Sequence, residues 1–412
     1  MTHQHDAQRR RFIRSSTGVA ALVIGTSLVN MSRPVQAQSL THLGELQAPN
    51  DLGIRLPSGF SARIVAHAGA RLIKDRWWRR TQYRWHTYAD GGATFATADG
   101  GWIYVSNSET IGLLGGGASA IRFDAEGTVV DAYRILGGTN VNCAGGATPW
   151  HTWLSCEEID FGRVYECDPY GERNAQPRPA LGYFKHEAVA VDPNLGLLYL
   201  TEDEGDGRLY RYVPAGLNAQ GDLNLESGTL QVAALAPGSD TEGYITWLDV
   251  PNPTPGLLQT PTRKQVPEST AFNGGEGIWY NDGSVYFTTK GDNRVWQLDT
   301  NLNHLQRVYD AATSDNPILT GVDNITVASG GELLVAEDGG DMQIVVIDSD
   351  GNLAPLLQIV GQDGSEITGP AFSPDGSRLY FSSQRGCAVF GGGNGFGITY
   401  EITGPFTEFM SI

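Results

Sequence analysis

One pattern recurs along most of the chain and constrains its fold more than any other feature. Each copy has a polar or glycine-rich corner, a short apolar strand, a turn often built on Asp-Gly, a second β-rich strand and a polar or acidic end. Six copies occur, at Asp90–Glu109, Gly145–Glu158, His186–Glu204, Gly275–Asp292, Asp323–Asp338 and Gly369–Gly386. Short strands separated by regular turn signals are typical of all-β proteins.

Further strands lie between the copies, for example in AIRFDAEGTVVDAYRIL and MQIVVIDSDGNLAPLLQIV. With them, each unit has about four strands and the units recur at a spacing of roughly 50 residues, which is the signature of a β-propeller. We therefore predict an all-β fold, a six-bladed β-propeller that forms one domain over residues 38–412. The wider spacing between the third and fourth repeats predicts an insertion at about 214–270, a segment rich in Pro, Gly and Asn.

The N-terminus has the pattern of a twin-arginine export signal. Arg9–Arg11 precede an apolar stretch, Val19–Val29, and a small-residue site that ends at Ala37. The alternative is a membrane anchor, but the stretch is short and contains Gly25–Ser27, which disfavours a spanning helix. We expect residues 1–37 to direct the protein through the twin-arginine translocation machinery to the periplasm or the medium, without a stable membrane anchor.

The chain is strongly acidic, with a formal net charge of -18 at pH 7. Removal of residues 1–37 would make the charge more negative, because that segment holds five arginines and one aspartate. Such a charge argues against nucleic-acid binding and against adhesion to anionic membranes. It is compatible with a protein that holds several multivalent cations.

The segment Asn142–Glu158, NCAGGATPWHTWLSCEE, indicates a metal site. Cys143, as a thiolate, would be a soft ligand suited to iron or zinc, whereas the carboxylates of Glu157 and Glu158 suit calcium. Adjacent like charges at a strand end are costly in an interior unless cations or hydrogen-bond donors neutralise them. The alternative is that both acids are solvated and that Cys143 is a small buried apolar residue.

Acidic residues recur at equivalent points of several repeats. In a propeller, the starts of the innermost strands and the ends of their neighbours converge on one end of the channel. Solvated charges account for one or two of these acids, but not for their recurrence. We therefore predict a metal cluster at the channel mouth from the corner and strand-end residues Asp90, Glu109, Glu157, Glu187, Glu202, Asp203, Glu276, Asp323 and Glu337.

Two cysteines flank a predicted hairpin. Cys156 and Cys167 lie on either side of Phe161-Gly162, which is near the expected turn. In an oxidising compartment, facing cysteines form disulfides. We expect a Cys156–Cys167 disulfide, with two free buried thiols as the alternative.

At these motifs the chain resembles the PhoX-type alkaline phosphatases. The joint occurrence of NCAGG-x-TPW, CEE and KHEA is specific, and the similarity extends from LPSGFSARIVAHAG at Leu56 to GITYEITGPF near the C-terminus. The resemblance implies a six-bladed propeller with two ferric ions and three calcium ions at the channel mouth. It also implies the hydrolysis of small-molecule phosphate monoesters, and we expect the protein to act as a monomer.

The resemblance assigns roles to individual residues. It implies that Cys143 is the thiolate ligand of iron and that Glu187 and Glu276 are further carboxylates of the cluster. Glu109, Glu157 and Glu158 resemble calcium or bridging ligands. The full set of expected metal ligands is Cys143, Glu109, Glu157, Glu158, Glu187, Glu202, Asp203, Glu276, Asp323 and Glu337.

The chain departs from the family pattern at one position that bears on phosphate binding. The family's Arg-Pro-Glu triplet is Gly274-Gly275-Glu276 here, so a planar, permanently charged donor is missing. Lys185, Lys290 or Arg385 could replace the lost cation, and the alternative is that they are surface residues. The candidate catalytic residues are Glu187, Glu276, Lys290 and Arg385.

The expected mechanism needs no protein nucleophile. Metal coordination lowers the pKa of water from about 15.7 to near 7, and the chain has no G-x-S-x-G elbow and no persuasive Ser-His-Asp arrangement. Two alternatives remain open. One is a calcium-dependent propeller lactonase or sugar-acid hydrolase, and the other is a non-catalytic secreted propeller that binds a ligand and uses calcium structurally.

Overall fold

Short antiparallel strands make up most of the regular secondary structure of the described residues. The computed structural model describes residues 39–73, 83–236, 238–239, 242–386 and 395–409. In chain order the strands are β1 (Ile54–Arg55), β2 (Ser61–His67), β3 (Ala89–Ala96), β4 (Trp102–Ser108), β5 (Gly117–Phe123), β6 (Val129–Gly137), β7 (Asn142–Ala147), β8 (Trp153–Glu157), β9 (Val164–Cys167), β10 (Gln176–Pro177), β11 (His186–Asp192), β12 (Leu197–Glu202), β13 (Leu209–Pro214), β14 (Gly228–Leu235), β15 (Glu242–Asp249), β16 (Gly275–Asn281), β17 (Ser284–Thr289), β18 (Arg294–Asp299), β19 (His304–Asp310), β20 (Val322–Val327), β21 (Leu333–Glu337), β22 (Gln343–Ile347), β23 (Leu353–Ile359), β24 (Ile367–Phe372), β25 (Arg378–Ser383) and β26 (Ile398–Thr403).

Helical structure is confined to short connections. The 3-10 helices are Leu40–His42, Gly112–Leu114, Pro179–Leu181, Thr262–Lys264 and Lys290–Asp292, and the α-helix α1 is Phe406–Phe409. No helix among the described residues is both long and apolar enough to span a membrane. The predicted export signal, residues 1–37, lies outside the described residues.

The described strands form five sheets. Three have four strands, in the orders β3-β4-β5-β6, β10-β9-β8-β7 and β2-β26-β25-β24, and a fourth has five strands, β1-β23-β22-β21-β20. The fifth has nine strands, in the order β11-β12-β13-β14-β15-β19-β18-β17-β16. The prediction of an all-β, propeller-like fold is therefore confirmed, whereas the number of separate sheets differs from the predicted number of blades.

The six repeated segments form six hairpins, each of which begins with an inner strand. These hairpins are β3–β4, β7–β8, β11–β12, β16–β17, β20–β21 and β24–β25. Each inner strand contacts the next, and the contacts run in a closed cycle from β3 through β7, β11, β16, β20 and β24 back to β3.

Apolar packing between neighbouring units explains why the strands are rich in apolar residues on both faces. Leu334 and Ala336 of β21 belong to one apolar cluster, with residues of β24–β26, whereas Leu333 and Val335 belong to another, with residues of β16–β19. Because side chains alternate along a strand, each neighbour covers one face of β21. In the described residues six such clusters link neighbouring units.

The first and last parts of the chain share a sheet. Strand β2 pairs with β26 in antiparallel register, with Ser61 opposite Thr403 and His67 opposite Ile398. Strand β2 therefore supplies the outer edge of a sheet whose other strands come from the C-terminal end. This pairing closes the cycle of strands.

The segment expected to be an insertion takes part in the largest sheet. Between residues 214 and 270, β14 pairs with β13, and β15 pairs with β14 on one side and with β19 on the other. The remainder includes the 3-10 helix Thr262–Lys264. The added length thus joins two four-strand units into one nine-stranded sheet.

The expected disulfide is absent. Cys143, Cys156 and Cys167 are free among the described residues, and all three are buried. Cys156 pairs with Val164, whereas Cys167 pairs with Trp153, three positions further along the same two strands. Residues an odd number of positions apart on a strand point to opposite faces, so the two thiols pack in different apolar clusters.

Candidate metal centre

A β-bulge interrupts the start of each of the six inner strands. The bulges leave two residues of the inner strand unpaired, because the register shifts there in every one of these hairpins. A bulge redirects a side chain out of the alternating pattern of its strand. In five of the six hairpins the first unpaired residue is a potential metal ligand, namely Asp90, Cys143, Glu187, Glu276 and Asp323.

The residues that directly follow these five potential ligands line a narrow cavity. The cavity has a volume of about 30 Å³ and is lined by residues of all six inner strands, including Gly91 and Gly277. The inner strands approach each other closely there: a Cβ on Gly91 would lie 2.5 Å from the Cα of Ala144, and one on Gly277 would lie 2.6 Å from the backbone nitrogen of Ile325. Glycine at these positions therefore lets the strands converge and brings the preceding acids together.

A second set of polar side chains follows the second strand of each hairpin. In each hairpin the end of the second strand pairs with the start of the inner strand. The first residue after the second strand therefore lies close to the bulge of the inner strand. In chain order these residues are Glu109, Glu158, Asp203, Lys290, Asp338 and Gln384.

Nine side chains from these two sets and one neighbouring loop form four overlapping groups. Within each group the potential ligand atoms all lie within 4.8 Å of one another. Consecutive groups share a residue, so that the whole set is continuous. The groups are Asp90, Glu109 and Cys143; Cys143, Glu158 and Glu187; Glu187, Glu276 and Asp323; and Asp323, Asp338 and Glu366.

Glu187 is the residue that most needs a cation. Its side chain is fully buried, and neither of its carboxylate oxygens has a hydrogen-bond partner among the described residues. Burial, and then the charge of Glu276, raises the pKa of Glu187 well above its usual range. A buried carboxylate without donors costs several kcal/mol unless a cation neutralises it. The donor set, one thiol among carboxylates, therefore fits a mixed site for a soft and a hard metal ion.

The other members of the groups experience the same crowding. Burial is the largest cause in each case and raises the pKa of Glu158 to about 8, with Asp203 as the next contributor. It raises the pKa of Glu366 to about 9, together with the nearby charge of Asp323. Burial also raises the pKa of the Cys143 thiol. Each of these groups would be ionised more readily beside a metal ion.

Amide side chains hold parts of this arrangement in place. The Nε2 of Gln384 donates to Asp90 Oδ2 at 2.5 Å and to Glu109 Oε2 at 2.5 Å. Asn107 donates through Nδ2 to the carbonyl oxygens of Cys143 and Ala144, at 3.1 and 2.7 Å. The donor groups therefore orient ligand residues from neighbouring units.

All three candidate cations contact a carboxylate of the groups, Lys185 at the longest distance. Lys290 Nζ lies 3.0 Å from Glu276 Oε1, and Arg385 Nη1 lies 2.9 Å from Glu366 Oε1. Lys185 Nζ is 3.8 Å from Glu158 Oε1. The arginine and Lys185 side chains are 43% and 31% exposed, so both can reach solvent.

The position of the missing family arginine has a special backbone conformation. Gly274 has a φ of 69°, and a Cβ there would lie 3.3 Å from Asp203 Oδ1. Its carbonyl accepts a hydrogen bond from the backbone N–H of Lys290. A residue with a side chain is disfavoured in this left-handed conformation, so glycine suits the turn better than arginine does.

Four of the ten predicted ligands lie outside the four groups, namely Glu157, Glu202, Asp203 and Glu337. Glu157 accepts hydrogen bonds from the backbone N–H groups of Asn140 and Arg163. Glu337 likewise accepts from Thr320 and Gln343. Both acids thus stabilise loops. The next residue in the chain, Glu158 or Asp338, joins a group, and because consecutive side chains along a strand point in opposite directions, Glu157 and Glu337 point away from it.

Glu202 and Asp203 form the third pair of consecutive acids. Glu202 accepts from the backbone N–H of Arg208 and from the hydroxyl of Tyr210, and Arg263 Nη1 is 3.5 Å from it. Asp203 adjoins Glu158 and raises the pKa of that residue, but it is in none of the four groups. Of the ten predicted ligands, Glu109, Cys143, Glu158, Glu187, Glu276 and Asp323 are brought together.

Sequence reasoning missed two members of the groups, Asp338 and Glu366. It included Asp90 in the predicted cluster as a corner acid, although the resemblance assigned no ligand role to that residue. Asp338 follows Glu337 as Glu158 follows Glu157, and this parallel could have indicated it. Glu366 precedes the sixth repeat, and no recurring signal marks it.

A family model and several solved structures resemble this chain. The model of alkaline phosphatase PhoX matches residues 83–160, 159–308 and 295–386, which together cover well over half of the chain. The chain belongs to the PhoX alkaline phosphatase family. The resemblance inferred from the motifs is thereby confirmed, and membership of the PhoX family supports the prediction of a phosphoric monoester hydrolase. No curated protein matches the sequence significantly.

Among solved structures, PhoX of Pseudomonas fluorescens in complex with vanadate, a transition state analogue, has a TM-score of 0.70 at 17% identity, over 87% of this chain and 97% of that one. A protein of unknown function from Bacteroides thetaiotaomicron has a TM-score of 0.50 at 8% identity, over 84% and 76%. A gluconolactonase from Xanthomonas campestris has a TM-score of 0.45 at 15% identity, over 77% and 86%. At these identities the similarity to the P. fluorescens PhoX structure concerns the fold.

Proposed function

We propose that this chain is an exported phosphatase that hydrolyses phosphate monoesters at an iron–calcium cluster. The observation that carries the proposal is Glu187, whose buried carboxylate has no hydrogen-bond donor within the described ranges and lies among eight other potential ligands. Membership of the PhoX family supports the reaction class. The twin-arginine pattern at Arg9–Arg11 supports export to the periplasm or the medium.

The proposed cluster lies at the channel mouth of a six-bladed propeller. Three features support six blades: the closed cycle of six inner strands, the six apolar clusters and the six bulged hairpins. On this interpretation the nine-stranded sheet consists of two blades, β11–β14 and β16–β19, which β15 joins.

The ligand types suggest how the metals would be divided. Cys143 belongs to two of the groups and would hold iron, because a thiolate is a soft ligand. The carboxylates that complete the groups suit calcium, which prefers oxygen ligands. We propose two ferric ions and three calcium ions, as the family resemblance implies.

Bound metal ions would supply Lewis-acid polarisation of the phosphoryl oxygens and activation of water near neutral pH. The protein's own side chains would hold the metal ions and bind the phosphate. Glu187 and Glu276 anchor the cluster from buried inner strands, where their side chains are 0% and 2% exposed. Arg385 keeps donors available beyond its contact with Glu366 and would hold the oxygens of a bound phosphate.

The proposal is tested by metal analysis combined with a phosphatase assay on protein purified from its export route. We expect iron and calcium together, hydrolysis of phosphate monoesters and inhibition by vanadate. Glu187→Gln should lose both metal and activity, whereas Glu157→Gln should retain both. A fully metal-loaded protein that hydrolyses no phosphate monoester would overturn the phosphatase assignment and favour a binding protein.

A further inference from the structure

Lys290 breaks the pattern of its structural equivalents. It is the first residue after β17, and the equivalent positions after the second strands of the other five hairpins carry acids or an amide: Glu109, Glu158, Asp203, Asp338 and Gln384. Lys290 is therefore the one cation among these six described positions. It introduces a positive charge where the other units contribute oxygen ligands.

The ammonium group of Lys290 is held by three carboxylates. Its Nζ lies 3.0 Å from Glu276 Oε1, 3.2 Å from Asp323 Oδ2 and 3.3 Å from Asp338 Oδ2. Two of these contacts are hydrogen bonds, to Asp323 and Asp338, and the third is an ion pair with Glu276. The positive charge of Lys290 is therefore directed at carboxylates of the groups.

The three carboxylates belong to two neighbouring metal-binding groups. Glu276 and Asp323 form one group with Glu187, and Asp323 and Asp338 form the next with Glu366. The Lys290 ammonium thus lies where these groups meet. Three carboxylate oxygens around one compact charge are also the kind of environment that a hard divalent cation takes.

We propose that the Lys290 ammonium takes the place of one further calcium ion on this side of the cluster, in addition to the three calcium ions proposed above. A fixed charge on the protein neutralises Glu276, Asp323 and Asp338 in part, and it occupies the space that a further cation would need. The chain therefore binds one calcium ion fewer than its carboxylates could otherwise hold. This inference rests on the proposed metal cluster, but it does not depend on phosphatase activity.

Lys290→Gln tests the inference, because glutamine occupies the equivalent position at Gln384. Calcium and iron per chain are measured by elemental analysis of the metal-loaded proteins, and calcium binding is measured by calorimetric titration. We expect the variant to hold one more calcium ion per chain than the wild type, with unchanged iron. An equal or smaller calcium content in the variant would overturn the inference.

Two control variants test whether the effect depends on the charge at position 290 and on its location. Lys290→Arg keeps the positive charge and should leave the calcium content at the wild-type value; a gain of calcium would count against the inference. Lys264→Gln removes a lysine that pairs with Asp206, outside the four groups, and it should leave the calcium content unchanged. If Lys290→Gln does not fold, Lys290→Met provides the same comparison. A wild type without metal would overturn the cluster itself, whereas a metal-loaded wild type with no gain in the variants would overturn this inference alone.

Discussion

Glu157 and Glu158 are consecutive in the chain but have opposite roles in the structure. Glu157 accepts hydrogen bonds from the backbone N–H groups of Asn140 and Arg163, at 2.9 and 3.2 Å. Glu158 instead joins Cys143 and Glu187 in a group of potential metal ligands. Glu337 and Asp338 repeat this arrangement in another unit. In both units the first acid stabilises a loop and the second faces the candidate metal centre.

The pair Glu337 and Asp338 provides a direct test of this division. Glu337→Gln weakens the acceptor for two backbone N–H groups, so we expect a loss of about 1–3 kcal/mol in the free energy of unfolding with unchanged metal content. Asp338→Asn should lower the calcium content instead, with a smaller effect on the metal-free protein. Denaturant unfolding and elemental analysis measure the two effects. A loss of calcium in Glu337→Gln, or an unchanged calcium content in Asp338→Asn, would contradict the proposed roles.

Glu187→Gln should change stability in opposite directions with and without metal. In chelated protein at alkaline pH the substitution removes a buried charge that has no hydrogen-bond donor in the described part of the chain, so the melting temperature should rise there. In metal-loaded protein the same substitution removes a ligand, so the melting temperature should fall below that of the wild type. Thermal unfolding with and without chelator measures both. A decrease under both conditions would mean that Glu187 is structural in a way unrelated to metal.

Cys143→Ser should remove iron and the visible charge-transfer band while the β-sheet circular dichroism is retained. The thiol is a ligand candidate in two groups, and serine is a harder, weaker ligand for iron. Cys156→Ser is the matched control, since Cys156 is buried in an apolar cluster away from these groups. Retention of iron in Cys143→Ser would count against thiolate ligation.

Removal of metal should destabilise the protein more at high pH. The pKa of Glu158 is raised to about 8 and that of Glu366 to about 9, whereas glutamate in an unfolded chain titrates near 4.3. The folded metal-free protein therefore binds protons that the unfolded chain releases, and its stability falls as the pH rises through this window. The difference in melting temperature between loaded and chelated protein should be larger at pH 9 than at pH 5. A difference that does not vary with pH would contradict the prediction.

Arg385→Lys should weaken vanadate inhibition without loss of metal. Lysine keeps the charge but lacks the planar, bidentate donor arrangement, so we expect the inhibition constant to rise by roughly tenfold or more. Arg122→Lys is a suitable control, because Arg122 is similarly exposed and pairs with Asp99 outside the groups. An unchanged inhibition constant would assign phosphate binding to another residue.

The repeats made the hairpins and the positions of their acids predictable from sequence. The orientation of each acid was not predictable, because a bulge beside Glu187 or Asp323 alters the alternation on which such predictions depend. The disulfide was predicted wrongly for a related reason: the hairpin brings Cys156 and Cys167 onto adjacent strands, but the register puts them on opposite faces. Glu366 joins the site from a loop, where periodicity carries no information.

The pairing of β2 with β26 has a consequence for the biosynthesis of the site. The ring of strands is complete only when Ile398–Thr403 can pair with Ser61–His67, so a nascent chain cannot finish folding until nearly its whole length has left the ribosome. The candidate ligands between Asp90 and Glu366 belong to units within that ring. Under the proposed function, the complete metal site would form only after the polypeptide is complete and before the folded protein is exported.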